Sequence, residues 1–142
     1  MKSKINLPLS FSLFLLLCCF SWDANAQSST AASITRGKTI YIQRCMACHQ
    51  QDGGGVPHMN PPLDGASAVK GKDKSKLIRV ILKGMSDRVE IDGEFYSNNM
   101  AGHADLTDQQ VADVLTYIRN SWSNQAGAVT AAEVKTVRAK IK

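Results

Sequence analysis

The run Cys45-Met46-Ala47-Cys48-His49 constrains this chain more than any other feature. Two thiols three positions apart lie on one helical turn, from which each can add to a vinyl group of the same porphyrin. The next residue, His49, then lies under the ring, where an imidazole nitrogen reaches the iron. C-x-x-C-H is the attachment signature of a c-type haem. Five residues therefore predict a covalent cofactor, Cys45 and Cys48 as its anchors, His49 as an axial metal ligand, and export to a compartment where haem is attached. One such motif means one haem.

Other uses of a Cys pair fit less well. A thioredoxin-type redox pair needs a βαβ setting, and no apolar β-branched runs alternate with helical stretches here. A structural zinc site wants four ligands, usually from two such pairs. Beyond the motif, the chain after residue 26 holds no Cys and only His58 and His103. Cysteines this close together also make a poor structural disulfide.

The first 26 residues read as a secretory signal. Lys2 and Lys4 give the positive start, Ile5 to Phe20 is apolar, and Ala24-Asn25-Ala26 matches the A-x-A cleavage pattern. Cleavage is expected after Ala26. As an uncleaved anchor, the apolar stretch is short for a membrane span and contains Pro8. A lipid anchor on Cys18 or Cys19 would want small residues before it, and Leu stands there instead. Cleavage removes both of these cysteines and leaves Cys45 and Cys48 for the haem. The expected product is a periplasmic protein: an N-terminal arm over residues 27–32 and one monohaem domain over residues 33–142. Its membrane association would come only through a partner or an uncleaved signal.

A chain this size buries a limited core, and haem supplies apolar surface for side chains to pack on. The formal charge is +5, and loss of Lys2, Lys4 and Asp23 leaves +4. That balance suits docking to an acidic protein patch. No basic run with interleaved aromatics points to nucleic acid.

Periodicity places the elements. A helix is expected from about Ser33, capped there, with Ile34, Tyr41 and Cys45 on one face. Gly37 weakens that helix, which is compensated if another helix crosses closely at that turn. Residues 51–71 read as loop, with Gly53-Gly54-Gly55 as a flexible turn. Pro61-Pro62-Leu63 is stiffer and can hold a carbonyl for the second nitrogen of His49, the usual partner of a metal-bound imidazole. Asp73 opens a helix to about Lys83, with Leu77, Ile78, Ile81 and Leu82 inward and Gly84 at its end. Val89 to Tyr96, alternating around Asp92-Gly93, is the one β-hairpin expected. Thr107 and Gln110 form a capping box for the clearest helix, striped by Val111, Val114, Leu115, Ile118 and Trp122. A last helix runs from Thr130 to about Lys140, presenting Val134 and Val137. The fold class is all-α with a small β-hairpin.

The iron takes up to two axial ligands. Met46 is tied between the anchoring cysteines, and Met85 directly follows a helix end. Met100, His103, Met59 and His58 remain open. Met100 lies in a polar loop, Ser97-Asn98-Asn99 before it and Ala101-Gly102 after it, and an isolated thioether there needs burial. A thioether favours ferrous iron and raises the reduction potential.

These residues together resemble the small class I bacterial cytochromes c, similar to the cytochrome domains of periplasmic dehydrogenases and oxidases. The carrying segments are Arg36-Gly37-Lys38, Tyr41 to His49, Pro61-Pro62-Leu63, Met100, and Leu115-Thr116-Tyr117-Ile118-Arg119-Asn120. The resemblance implies the cytochrome c fold, with N- and C-terminal helices crossing around the haem and Gly37 paired with Tyr117. It implies Met100 as the distal ligand and places Pro62 and Leu63 beside the proximal one. It also implies a non-enzymatic role, single-electron transfer between a dehydrogenase or other donor and an oxidase or reductase. The protein would work as a monomer or as a subunit of a redox complex. One departure stands out: Ala101 occupies the position where relatives usually carry Pro after the ligand Met. A looser ligand loop would favour the rival reading, a haem enzyme or gas sensor with a labile sixth ligand. Lys70, Lys72, Lys74, Lys76 and Lys83 are candidates to ring the docking surface.

Overall fold

Between Ser21 and Arg36 the chain has no glycine or proline and four alanines, so nothing interrupts a helix. The computed structural model describes residues 21–141, with side chains from residue 29. It opens with that helix, α1 (Ser21–Arg44). The helix therefore starts ahead of Ser33 and takes in residues 27–32, expected as a loose arm. Ser33 is no cap: its buried hydroxyl donates to Asp113 Oδ1 at 2.6 Å. Most of the expected leader, residues 1–26, lies outside the described residues.

Cys45, at φ −120°, separates α1 from the single turn α2 (Met46–His49). A long loop holds one further turn, α3 (Ser67–Lys70). Helix α4 (Lys74–Lys83) is capped by Asp73, whose side chain accepts from the Ser75 N–H, and buries Ile78, Ile81 and Leu82. Helix α5 (Asp108–Arg119) carries the Thr107/Gln110 capping box. Helix α6 (Ala131–Arg138) has a second box from Thr130 and Glu133.

The two long helices cross where one side chain is missing. A Cβ on Gly37 would stand 2.0 Å from the Asp113 carbonyl oxygen and 2.8 Å from Tyr117 Cβ. Glycine is what lets the backbones approach. Beside the crossing, the Asp113 carboxylate is buried and receives Arg36 Nε at 2.6 Å, Arg36 Nη2 at 2.8 Å and Gln109 Nε2 at 2.9 Å. Burial raises the Asp113 pKa, but the donors and the Arg36 charge outweigh it and hold the carboxyl below its ordinary value.

The stripe of α5 is the core. Val111, Val114, Leu115 and Ile118 are buried against Ile78, Leu82, Val134 and Val137, each contributing about 1.5–3 kcal/mol. Trp122 leaves the stripe, since the helix ends at Arg119 and Trp122 has φ +56°. Arg119, a charge at the end of the helix, is buried and donates to the carbonyls of Val69, Gly71 and Gly127.

Two small ladders complete the fold. Strands β2 (Val89–Ile91) and β3 (Glu94–Tyr96) pair Val89 with Tyr96 and Ile91 with Glu94. Their turn, Asp92-Gly93, has φ of +53° and +87°, as a type I′ hairpin demands. The second ladder corrects the expectation of a single β feature. Strand β1 (Gly84–Met85) pairs antiparallel with β4 (Met100–Ala101), setting Gly84 opposite Ala101 and Met85 opposite Met100. Among the described residues, no helix is long and apolar enough to cross a membrane.

Candidate haem site

His49 ends α2 and is buried. Its Nδ1 lies 3.0 Å from the Pro61 carbonyl oxygen. Nδ1–H donates there, which fixes the tautomer with its lone pair on Nε2. Among the described residues Nε2 has no hydrogen-bond partner and no buried side-chain nitrogen or oxygen is left unpaired, so Nε2 opens onto accessible space. Burial lowers the imidazole pKa, against a smaller upward pull from the Pro61 carbonyl. The ring is thus held neutral, the form that ligates a metal.

The partner carbonyl belongs to Pro61, one residue before Pro62. Pro62 restricts Pro61 to extended backbone and so helps to aim the carbonyl. The glycine run holds this loop tightly and is no flexible turn. At Gly55 (φ +67°) a Cβ would meet the Pro61 carbonyl oxygen at 2.7 Å, and at Gly53 (φ +72°) it would meet the Trp122 ring at 2.8 Å. Gly53 O also receives Leu63 N–H at 2.7 Å.

Behind His49 stands an aromatic cluster that sequence reasoning assembled only in part. Ring centroids of Tyr41, Tyr117 and Trp122 lie 5.3 to 5.8 Å apart. The Tyr41 hydroxyl donates to Gln50 O at 2.6 Å, and Trp122 Nε1–H donates to Gln51 O at 3.1 Å. The two residues after His49 are therefore bolted to α1 and to the turn after α5. Asn124, buried, adds bonds to Leu63 O and Ile118 O at 2.9 Å each. A lone polar residue in a tail gives no sequence signal for this role.

Cys45 is half-buried, Cys48 is exposed, and both are free thiols. Burial pushes the Cys45 pKa up to about 11, with Cys48 adding to the rise. No cluster of three or more His, Cys, Asp or Glu side chains suited to a metal occurs among the described residues. The donor set fits an iron porphyrin. It has two unpaired thiols on one turn, a neutral imidazole with Nε2 free, and half-buried apolar side chains (Leu63, Leu77, Ile91, Met100) on the core's edge.

A model of the cytochrome c family matches residues 34–122. The chain belongs to the cytochrome c family. Cytochromes of this class carry covalently bound haem c, and its iron serves electron transport. The cytochrome c subunit of a quinone-type alcohol dehydrogenase from Gluconacetobacter polyoxogenes is 37% identical over 124 residues, 81% of this chain. The chain spans only 25% of that relative's length. Cytochrome c-552 of Thermus thermophilus is 38% identical over 112 residues, 73% of this chain and 85% of the relative. The gluconate 2-dehydrogenase cytochrome c subunit of Pantoea cypripedii is 35% identical over 105 residues, 72% of this chain and 24% of its own length.

On the far side of this cytochrome, the candidates for the second ligand separate. Met100 is half-buried against the core in β4, where a loop was expected. Met59 is 51% exposed. His58 is exposed, with Nδ1 3.6 Å from Glu94. His103 is half-buried, and its backbone N–H donates to Ile81 O at 2.7 Å. Lys74 leaves the set of docking lysines, since its ammonium donates to Ala128 O at 2.6 Å and pairs with Glu133 at 2.9 Å. Lys76 and Lys83 instead share a groove of about 890 Å³ with Arg79 and Arg88, with Asp87 as its one carboxylate. Ion pairs occupy Arg36, Arg44, Lys74 and Arg138, and none of the four groove cations has one among the described residues.

Proposed function

We propose that this cytochrome is a periplasmic single-electron carrier whose haem is anchored by Cys45 and Cys48 and whose iron is ligated by His49 and Met100. The observation that carries the reading is the His49–Pro61 hydrogen bond, which leaves a neutral imidazole with one free lone pair at the end of the C-x-x-C-H turn. The bound haem supplies the one-electron couple of its iron. His49 holds its tautomer through Pro61. Met100 gives a sulfur that favours the reduced state, and with both positions filled no site is open to substrate. The buried contacts of the proximal loop keep ligand movement small between the two oxidation states.

The leader over residues 1–26, cleaved after Ala26, accounts for export. The names of the two dehydrogenase relatives support a dehydrogenase as the electron donor. The groove of Lys76, Arg79, Lys83 and Arg88 beside Met100 suits an acidic surface on such a partner. Docking there would be transient, at the small end of interface sizes (below about 1,200 Å²).

The rival reading, a sensor or enzyme with a labile sixth ligand, drew on Ala101-Gly102. The β1–β4 ladder weighs against it, because Met100 is paired with Met85. Visible spectra of the holo protein in both oxidation states, with carbon monoxide added to the ferrous form, separate the two. A weak red iron–sulfur band in the ferric protein and slow carbon monoxide binding support the carrier. Rapid binding would support the sensor.

A further inference from the structure

The β1–β4 ladder places a second methionine beside the first. Met85 and Met100 are directly opposed in an antiparallel pair, so their side chains leave the same face with Cβ atoms about 4.5–5.5 Å apart. Both side chains are half-buried and both border the same groove. Met100 packs against the buried core, whereas Met85 is not among the side chains that do. Met85 is thus a half-buried thioether outside the packed core, next to the residue read as the iron's ligand.

The backbone holds this pair in register. At Gly84 (φ +75°) a Cβ would meet Met100 O at 2.1 Å, and at Gly102 it would meet Leu82 O at 2.8 Å. The His103 N–H bonds Ile81 O at 2.7 Å. The strand that carries Met100 is therefore fastened to the end of α4 by close backbone contact. With Ala101 after Met100, the stiffness of this strand comes from two glycines and a ladder. A methionine has three rotatable bonds and a polarisable sulfur, so Met85 can sweep across the face it shares with Met100.

We propose that Met85 is a reserve axial ligand of the haem iron: when the Met100–iron bond breaks, the Met85 sulfur donates its lone pair to the same position. No electron is gained or lost in the exchange, and no water or gas is admitted. This rests on the reading in which Met100 is the resident ligand, and it explains how a loop without proline keeps the iron closed.

The test uses the holo protein in four forms: wild type, Met85→Leu, Met100→Ala and the double variant. Leucine keeps volume and apolar character at 85, so the fold is preserved. The readouts are the ferric iron–sulfur band, the ring-current-shifted methionine methyl resonance of the ferrous form, and the rate of carbon monoxide binding. Met100→Ala is expected to keep the band and a shifted methyl signal, at a new position. The double variant is expected to lose both and to bind carbon monoxide roughly tenfold faster or more, as the open fraction rises. Three results would overturn the proposal: Met100→Ala behaving like the double variant, the double variant keeping the sulfur band through Met59, or Met100→Ala acquiring an imidazole spectrum from His103. If instead Met85→Leu loses the band and Met100→Ala does not, Met85 is the resident ligand and the assignment of Met100 fails. A wild type without the band would remove the underlying reading while leaving the haem in place.

Discussion

The two sides of the proposed haem site are built from different materials. The proximal side belongs to the folding core. His49 closes the single turn α2, one residue beyond α1, the Gly37 crossing presses α1 onto α5, and Tyr41 and Trp122 fasten the residues after His49. The distal side rests on two residue pairs, Gly84 with Ala101 and Met85 with Met100, flanked by a hairpin that buries only Tyr96. In the proposed ligation His49 would be held by buried side chains and a glycine-packed loop, and Met100 by a two-pair ladder and backbone approach at Gly84 and Gly102. The proximal ligand should therefore leave only when the protein unfolds, while the distal one can leave alone.

Overpacking the crossing should break the first half of that contrast. Gly37→Val drives side-chain atoms into Asp113 O and Tyr117, and should lower unfolding stability by about 3 kcal/mol in a denaturant titration. Gly84→Ala attacks the other half. Its Cβ would meet Met100 O at 2.1 Å, with strain of about 1–3 kcal/mol. The loss should be read as faster carbon monoxide binding by the ferrous protein, with far-ultraviolet dichroism almost unchanged. If the helices melt together with the ligand, the two sides are one unit.

Asp113 sharpens the contrast through pH. Its folded pKa lies below the unfolded value of about 3.9. The stabilisation is complete above that unfolded value and fades as pH falls through the folded one. Asp113→Asn should cost about 2 kcal/mol near neutrality and flatten the acid limb of the stability curve between wild type and variant. A parallel shift of the whole curve would deny the carboxylate its role. The smallest effect is expected from Trp122→Phe, which keeps the ring cluster and drops one hydrogen bond to Gln51, at about 1 kcal/mol in thermal unfolding.

Much of this contrast was legible from residues whose chemistry is local. C-x-x-C-H, the capping box at Thr107, the Asp92-Gly93 turn and the missing side chain at Gly37 each act within a few positions. Each stands where the pattern placed it. The residues that escaped act over distance. Gly84-Met85 and Met100-Ala101 are two-residue strands fifteen or more positions apart, too short to show alternation. Lys74 reads as a docking-surface charge until Glu133 arrives from elsewhere in the chain, and nothing in the sequence ties Arg119 to the carbonyls of Val69, Gly71 and Gly127. Trp122 continues the α5 spacing on paper, but the helix stops at Arg119 and φ +56° turns the ring onto Gly53 and Tyr41. The start of α1 was placed late because Ser33 looks like a cap, whereas its hydroxyl serves Asp113.

Native-state hydrogen exchange on the holo protein, resolved by segment, tests the division most directly. Local openings span free energies from near zero up to that of global unfolding. Amides over residues 111–118 of α5 are expected to exchange only through global unfolding. Those over residues 84–85 and 100–103 are expected to exchange earlier, through a local opening with little denaturant dependence. Equal protection of the two segments, both tracking global stability, would contradict it.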